Sequence, residues 1–160
     1  MLRLIPSVEN QKALDSVKKS IKQFKDGYRK GLYFTGKAAQ AFIRKEMTSG
    51  KKTGRLYLVS VGRGGKRLKK PRKHIASGPD EYPAVITGDL RASVGFQVYG
   101  FDTMELGANT EYAKDLEVGR GRIKPRRYLE QTVEHFSIHT KTLISTQINN
   151  RLRAIGVTVT

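Results

Sequence analysis

Apolar residues at Leu14, Val17, Ile21, Phe24 and Tyr28 recur at alternating spacings of three and four. That period lays them in one stripe along a helix. The phase continues through Leu32, Thr35, Ala39 and Phe42, so the spacing predicts one helix over about 8–48. Ser7 or Asn10 is its candidate cap, and Thr48-Ser49-Gly50 its end. Gly27, Gly31 and Gly36 each weaken a helix by about 1 kcal/mol relative to Ala, which makes them the place for a bend.

The rest of the chain holds shorter elements. Arg55 to Val61 reads as a strand. Val94, Phe96 and Val98 alternate, as do Met104, Leu106 and Ala108 beyond a turn at 100–103, which predicts a hairpin. Thr87-Gly88 makes a turn into a short helical or extended piece ending at Ser93. Glu111 to Val118 reads as a short helix, and 127–154 as a long one with Leu129, Val133, Phe136, Leu143, Ile144, Ile148 and Leu152 on one side. Gly156 ends it, and 157–160 is a candidate short strand. The expected fold is therefore α+β: a single domain over 1–160, with long N-terminal and C-terminal helices packed on a small, largely antiparallel sheet. A chain of 160 residues is enough for one core.

Between the first strand and Pro83 the pattern changes. From Lys51 to Ile75 there are ten Lys or Arg and no acidic residue. Such a stretch does not collapse by itself, so 62–86 is expected to project as an extended, flexible basic arm. Three readings of it stay open: contact with nucleic-acid phosphates, docking on an acidic protein, or a solvated loop. With no aromatic between Gly62 and Pro83 except Tyr82, any nucleic acid would be gripped by its backbone alone. The whole chain carries 31 Lys and Arg against 14 Asp and Glu, a net +17, which implies an acidic partner. It has no cysteine, which excludes disulfides and thiolate chemistry. No run is long and apolar enough for a signal peptide or a membrane span, so the sequence reads as a soluble, cytoplasmically made protein.

Motifs for chemistry are weak. Gly31-Leu32-Tyr33-Phe34-Thr35-Gly36-Lys37-Ala38 nearly spells a phosphate-binding loop. It has Ala38 where a magnesium-holding hydroxyl is needed, and it lies inside a helical pattern. Gly62-Arg63-Gly64 reads as a hinge at the root of the arm. His135 and His139 stand four apart on a helix without a third ligand. Glu111, Asp115 and Glu117 read as acids that complement nearby cations. No nucleophile or acid–base constellation emerges, so neither catalysis nor a cofactor or metal is expected.

Four ordered pieces carry a resemblance. They are Thr53-Gly54-Arg55-Leu56-Tyr57; the run from His74 through Ala76-Ser77-Gly78-Pro79-Asp80-Glu81, Pro83-Ala84, Thr87-Gly88 and Leu90-Arg91 to Ser93; Leu106-Gly107 with Tyr112-Ala113, Leu116-Glu117 and Gly119; and Pro125-Arg126-Arg127-Tyr128-Leu129. In this order they resemble the minor tail-component family of long-tailed bacteriophages, the tail-completion and head–tail joining neck proteins. The likeness spans about half of the chain. It departs at Arg127, where the family usually has Pro, and at Tyr128, where it has Phe. The resemblance implies a structural ring subunit of the virion, at the neck or tail terminator, around the DNA channel, with no catalytic residues.

A ring of about six or twelve copies is the expected assembly by analogy, with neighbouring head-connector and tail-tube or terminator proteins as partners. Non-specific contact with genomic DNA is a further expectation, and no membrane is involved. The residues expected to meet a subunit, partner or DNA backbone are Arg63, Lys66, Arg67, Lys69, Lys70, Arg72 and Lys73 in the arm. Glu117, Arg120, Arg122, Lys124, Arg126 and Arg127 form a second set, in which Glu117 faces the loop cations while Tyr112 and Leu116 bury against the hairpin. The rival reading is a basic nucleic-acid-binding protein of ribosomal or nucleoid type.

Overall fold

The computed structural model describes residues 8–157, with the side chain of Arg63 left aside. The Ser7 cap and the strand expected over 157–160 fall wholly or mainly outside the described residues. Along the chain lie α1 (Val8–Ser49), β1 (Leu56–Val61), a 3-10 turn (Arg63–Gly65), β2 (Arg67–Ile75), α2 (Asp89–Ser93), β3 (Val94–Tyr99), β4 (Thr103–Ala108), α3 (Ala113–Val118) and α4 (Tyr128–Arg153). The arrangement is α+β, as the residue pattern predicts, with long helices at both ends. The strands form two separate antiparallel pairs, β1–β2 and β3–β4, where a single small sheet was expected.

Helix α1 extends for about 63 Å and passes through its glycines without a break. Gly27 and Gly31 let α4 approach closely. A methyl group at Gly31 would lie 2.6 Å from the Ile144 Cα, and one at Gly27 would lie 2.7 Å from the Ile148 Cα. A methyl group at Gly36 would strike the Phe96 ring. Rising numbers on α1 meet falling numbers on α4, so the two helices are antiparallel. The last turn of α1 is closed by the Lys52 ammonium, which donates to the carbonyls of Glu46 and Gly50, each at 3.0 Å. A cation there also complements the negative end of the helix.

The core sits where the C-terminal half of α1 meets everything else. Ile43, Met47, Leu90, Val94, Ala113 and Tyr128 form its buried cluster, with Tyr82, Leu106, Leu116 and Leu129 packed around it. Gly88 makes the turn into α2 at φ 92°, a conformation open to glycine at little cost. Arg44 of α1 then donates to the carbonyls of Arg91, Ala92 and Val94, at 3.2, 3.2 and 2.9 Å. Those bonds satisfy acceptors at the end of α2 that the helix itself leaves open. The hairpin β3–β4 keeps one register from Val94↔Ala108 to Tyr99↔Thr103 and lies against α1. Among the described residues no helix is long and apolar enough to cross a membrane.

Candidate interaction surface

The basic segment is a β-ribbon. Its residues 67–75 form β2, paired with β1 through Leu56↔Ile75, Tyr57↔His74, Leu58↔Lys73 and Val59↔Arg72. The segment is extended, and where a flexible arm was expected it is a paired strand: β1 supplies a template, and pairing needs backbone groups, not an apolar side chain at every position. Glycines close the ribbon. Gly64 and Gly65 hold φ 64° and 73° in the turn, and the Gly62 N–H donates to the Lys66 carbonyl at 2.7 Å. Toward the turn the pairing skips from Val59↔Arg72 to Val61↔Arg67, so β2 spends extra residues in a bulge. Pro71 lies in that bulge, where a missing N–H does not interrupt the ladder.

Directly paired residues share a face of the ribbon. One face turns inward: Val59 is the only buried residue of β1, and Tyr57 and His74 meet edge to face at 5.2 Å. This face, with Met47, Val85, Leu90 and Leu116, walls an apolar cleft of about 520 Å³. The His74 Nε2 is buried there with no hydrogen-bond partner among the described residues. Burial, and then the nearby Arg72 charge, lower the His74 pKa below its ordinary value. The other face bares Leu56, Leu58 and Ile75 to solvent beside Lys73.

Lys66, Arg67, Lys69, Lys70 and Lys73 are all exposed, and none makes an ion pair among the described residues. Arg72 differs, because its guanidinium donates to the Ile86 carbonyl and ties the ribbon to the loop before α2. The cations between α3 and α4 are more committed. Arg120 pairs with Asp115 at 3.5 Å. Arg126 donates to the Ser77 hydroxyl at 2.9 Å and to the Lys124 carbonyl at 2.8 Å. Arg127 pairs with Asp80 at 2.8 Å. Arg122 and Lys124 remain exposed, without an ion pair among the described residues. Within this second set, Arg126 and Arg127 hold two loops of their own subunit together. Where the resembling family usually has Pro, Arg127 stands at φ 44°, which a proline ring excludes.

Glu117 needs correcting in the same way. Among the described residues it forms no ion pair with the loop cations. Its two carboxylate oxygens accept the backbone N–H groups of Leu129 and Glu130, at 3.0 and 2.9 Å, and cap α4 from a distance. Leu116 is packed against the core cluster, while Tyr112 is exposed. Glu81 is a second hub, accepting from the Thr53 N–H, the Thr53 hydroxyl and the Gly78 N–H at 2.9, 2.7 and 2.6 Å. Burial pushes the Glu81 pKa up, but these bonds and the Lys52 charge outweigh it and hold the carboxyl below its ordinary value.

The weak chemical motifs acquire structural roles. The near phosphate loop is continuous helix with Gly31 and Gly36 packed against side chains, so no phosphate reaches its amides. The His135 ring stacks on Phe42 at 4.6 Å and 6°, and no group of three metal-ligating side chains occurs among the described residues. Sequence reasoning missed the bare apolar face of the ribbon. Its signal was present, since 56–59 reads apolar at every position although one face of an exposed ribbon should be polar. Compared with models of known families, with curated proteins and with solved structures, the chain matches none.

Proposed function

We propose that this chain is a structural ring subunit at the head–tail junction of a tailed bacteriophage, and not an enzyme. In this reading it is a neck, tail-completion or tail-terminator protein, assembled in the host cytoplasm and resident in the virion. The observation that carries the reading is the outer face of the ribbon, where Leu56, Leu58 and Ile75 lie exposed on an element that packs mainly on itself. A contiguous apolar patch on a small soluble domain marks a surface made to be covered. The ordered motifs from Thr53 to Leu129 supply the identity of the assembly, and an exposed apolar face bordered by cations suits head-to-tail contacts that close into a ring.

The nucleic-acid reading is favoured by one observation, the five exposed ribbon cations without ion pairs among the described residues. Two sets of substitutions separate the readings. Replacing Leu56, Leu58 and Ile75 by Ser should convert a closed oligomer, seen by light scattering or in purified virions, into a monomer. Replacing Lys66, Arg67, Lys69, Lys70 and Lys73 by Gln should leave such a ring standing if the apolar face builds it. A wild-type chain that stays monomeric at high concentration and binds duplex DNA with an affinity falling steeply with salt would decide for the rival.

A further inference from the structure

The apolar stripe of α1 is covered over only part of its length. Gly27 is the first buried residue of the helix, and by the register of the Gly31–Ile144 and Gly27–Ile148 contacts α4 ends at Arg153 about level with Lys22. The tip of the β3–β4 hairpin reaches no further, with Phe101 meeting Tyr28 at 6.2 Å. Before Gly27 the stripe continues in phase but bare: Leu14, Val17, Ile21 and Phe24 are 46, 56, 49 and 42% exposed. At about 100° per residue these four continue the face that carries the buried Leu32, Thr35 and Ala39.

The two flanks of the bare stripe differ. On the side of α4, Ala13 and Ser20 precede Gly27 at intervals of seven, so the column of small residues that admits α4 extends past its end. On the other flank stand Lys18 and Lys25, with Lys22 behind them. The Lys25 ammonium lies 5.1 Å from the Phe101 ring centre, and among the described residues the ion pair of Lys18 is an exposed one with Asp15 at 3.8 Å. Pairs of that kind are weak and leave the charge open to a better partner. The covered part of this face already holds a helix, so the uncovered part has the shape of a helix site.

We infer that the N-terminal reach of α1 docks an acidic amphipathic helix of a different protein along its bare stripe, with carboxylates over Lys18 and Lys25 on the flank away from α4. A second copy of this chain is the poorer occupant. Its stripe has the same lysine flank, so antiparallel pairing sets lysine against lysine, and the stretch 8–26 carries five lysines against Glu9, Asp15 and Asp26. The inference stands whether or not the chain forms a ring.

The test uses the full chain and two fluorescein-labelled synthetic helices of three heptads, about 21 residues. One has Leu at its heptad core and Glu at the flanking positions; its twin has Lys for Glu. Anisotropy should show the Glu helix binding at least about tenfold more tightly than the Lys helix. The double substitution V17S and I21S, which changes no charge and touches only exposed side chains, should weaken the Glu helix by about tenfold or more with an unchanged thermal midpoint. The single substitution I21S should weaken it less and serves should the double variant unfold. Failure of the Glu helix to bind overturns the inference. So does equal binding by the serine variants, which would reduce the effect to general attraction by the +17 charge. A dimer in sedimentation equilibrium that the serine substitutions dissociate would name a second copy as the occupant and overturn it equally.

Discussion

Tyr128 has no exposed surface, and its hydroxyl finds no hydrogen-bond partner among the described residues. Burial, and then the charges of Glu117 and Tyr112, push its pKa well above the ordinary tyrosine range, so the phenol stays protonated. A buried donor without an acceptor costs about 1–3 kcal/mol. Tyr128→Phe should therefore leave stability unchanged or raise it by about 1 kcal/mol in urea denaturation. A clear loss would show the hydroxyl to be bonded in solution. Glu117 presents the opposite case. The residue at the N-cap, Arg127, contributes no side-chain cap, and the carboxylate of Glu117 takes over that role from another helix. Glu117→Ala should cost about 1–2 kcal/mol, and Glu117→Gln should recover part of it because one acceptor remains while the charge against the helix end is lost. Neither role was legible in the sequence, since both depend on which loop folds beside the start of α4.

The elements show how one pattern can mean two things. Glycine inside a helix lowers its propensity, and the three glycines of α1 read as weak points on that ground alone. Packed against α4 at Gly27 and Gly31, and against Phe96 at Gly36, they are contact points. Gly31→Ala should thus destabilise the protein by about 1–3 kcal/mol, although alanine is the better helix former, because the added methyl meets the Ile144 Cα. Gly107→Ala in β4 is the control: no atom lies within 4 Å of the methyl it would add, so the thermal midpoint should scarcely move. The hairpin β3–β4 was readable because its apolar residues alternate and a turn separates them. The strand β2 was not, because Lys69, Lys70, Arg72 and Lys73 have no apolar partners in sequence and owe their extended form to β1.

For the whole molecule, charge sets the response to acid. Asp80, bonded to Arg127, and Glu81, bonded to Thr53 and Gly78, both have folded pKa values below their ordinary ones. The folded state therefore binds fewer protons than the unfolded chain once pH nears the carboxyl range. Their stabilisation is complete above the ordinary carboxyl values and is lost as pH falls through the lowered ones. His74 has the same sign, because burial keeps it neutral when an unfolded histidine would already be charged. Thermal midpoints should thus decline from pH 7 downward, first in the histidine range and then more steeply below pH about 4.5. Glu81→Gln should lower the midpoint at pH 7 and flatten the lower limb; an unchanged limb would remove Glu81 as a cause. The +17 charge adds to the decline, since protonating carboxylates leaves the cations to repel one another.

Periodicity and charge are local properties, and everything that depends on them could be read from the chain alone: two long terminal helices, the β3–β4 hairpin, the α+β class and the cationic character of the segment after β1. What the tertiary structure decided is which groups face one another. It turned Gly27 and Gly31 into a helix seam, spent Arg126, Arg127 and Glu117 inside the subunit, and left Leu14 to Phe24 and the outer face of the ribbon uncovered. The physical reason is that a side chain's period places it on a face, whereas its partner lies far away in sequence and is chosen only by how the elements dock.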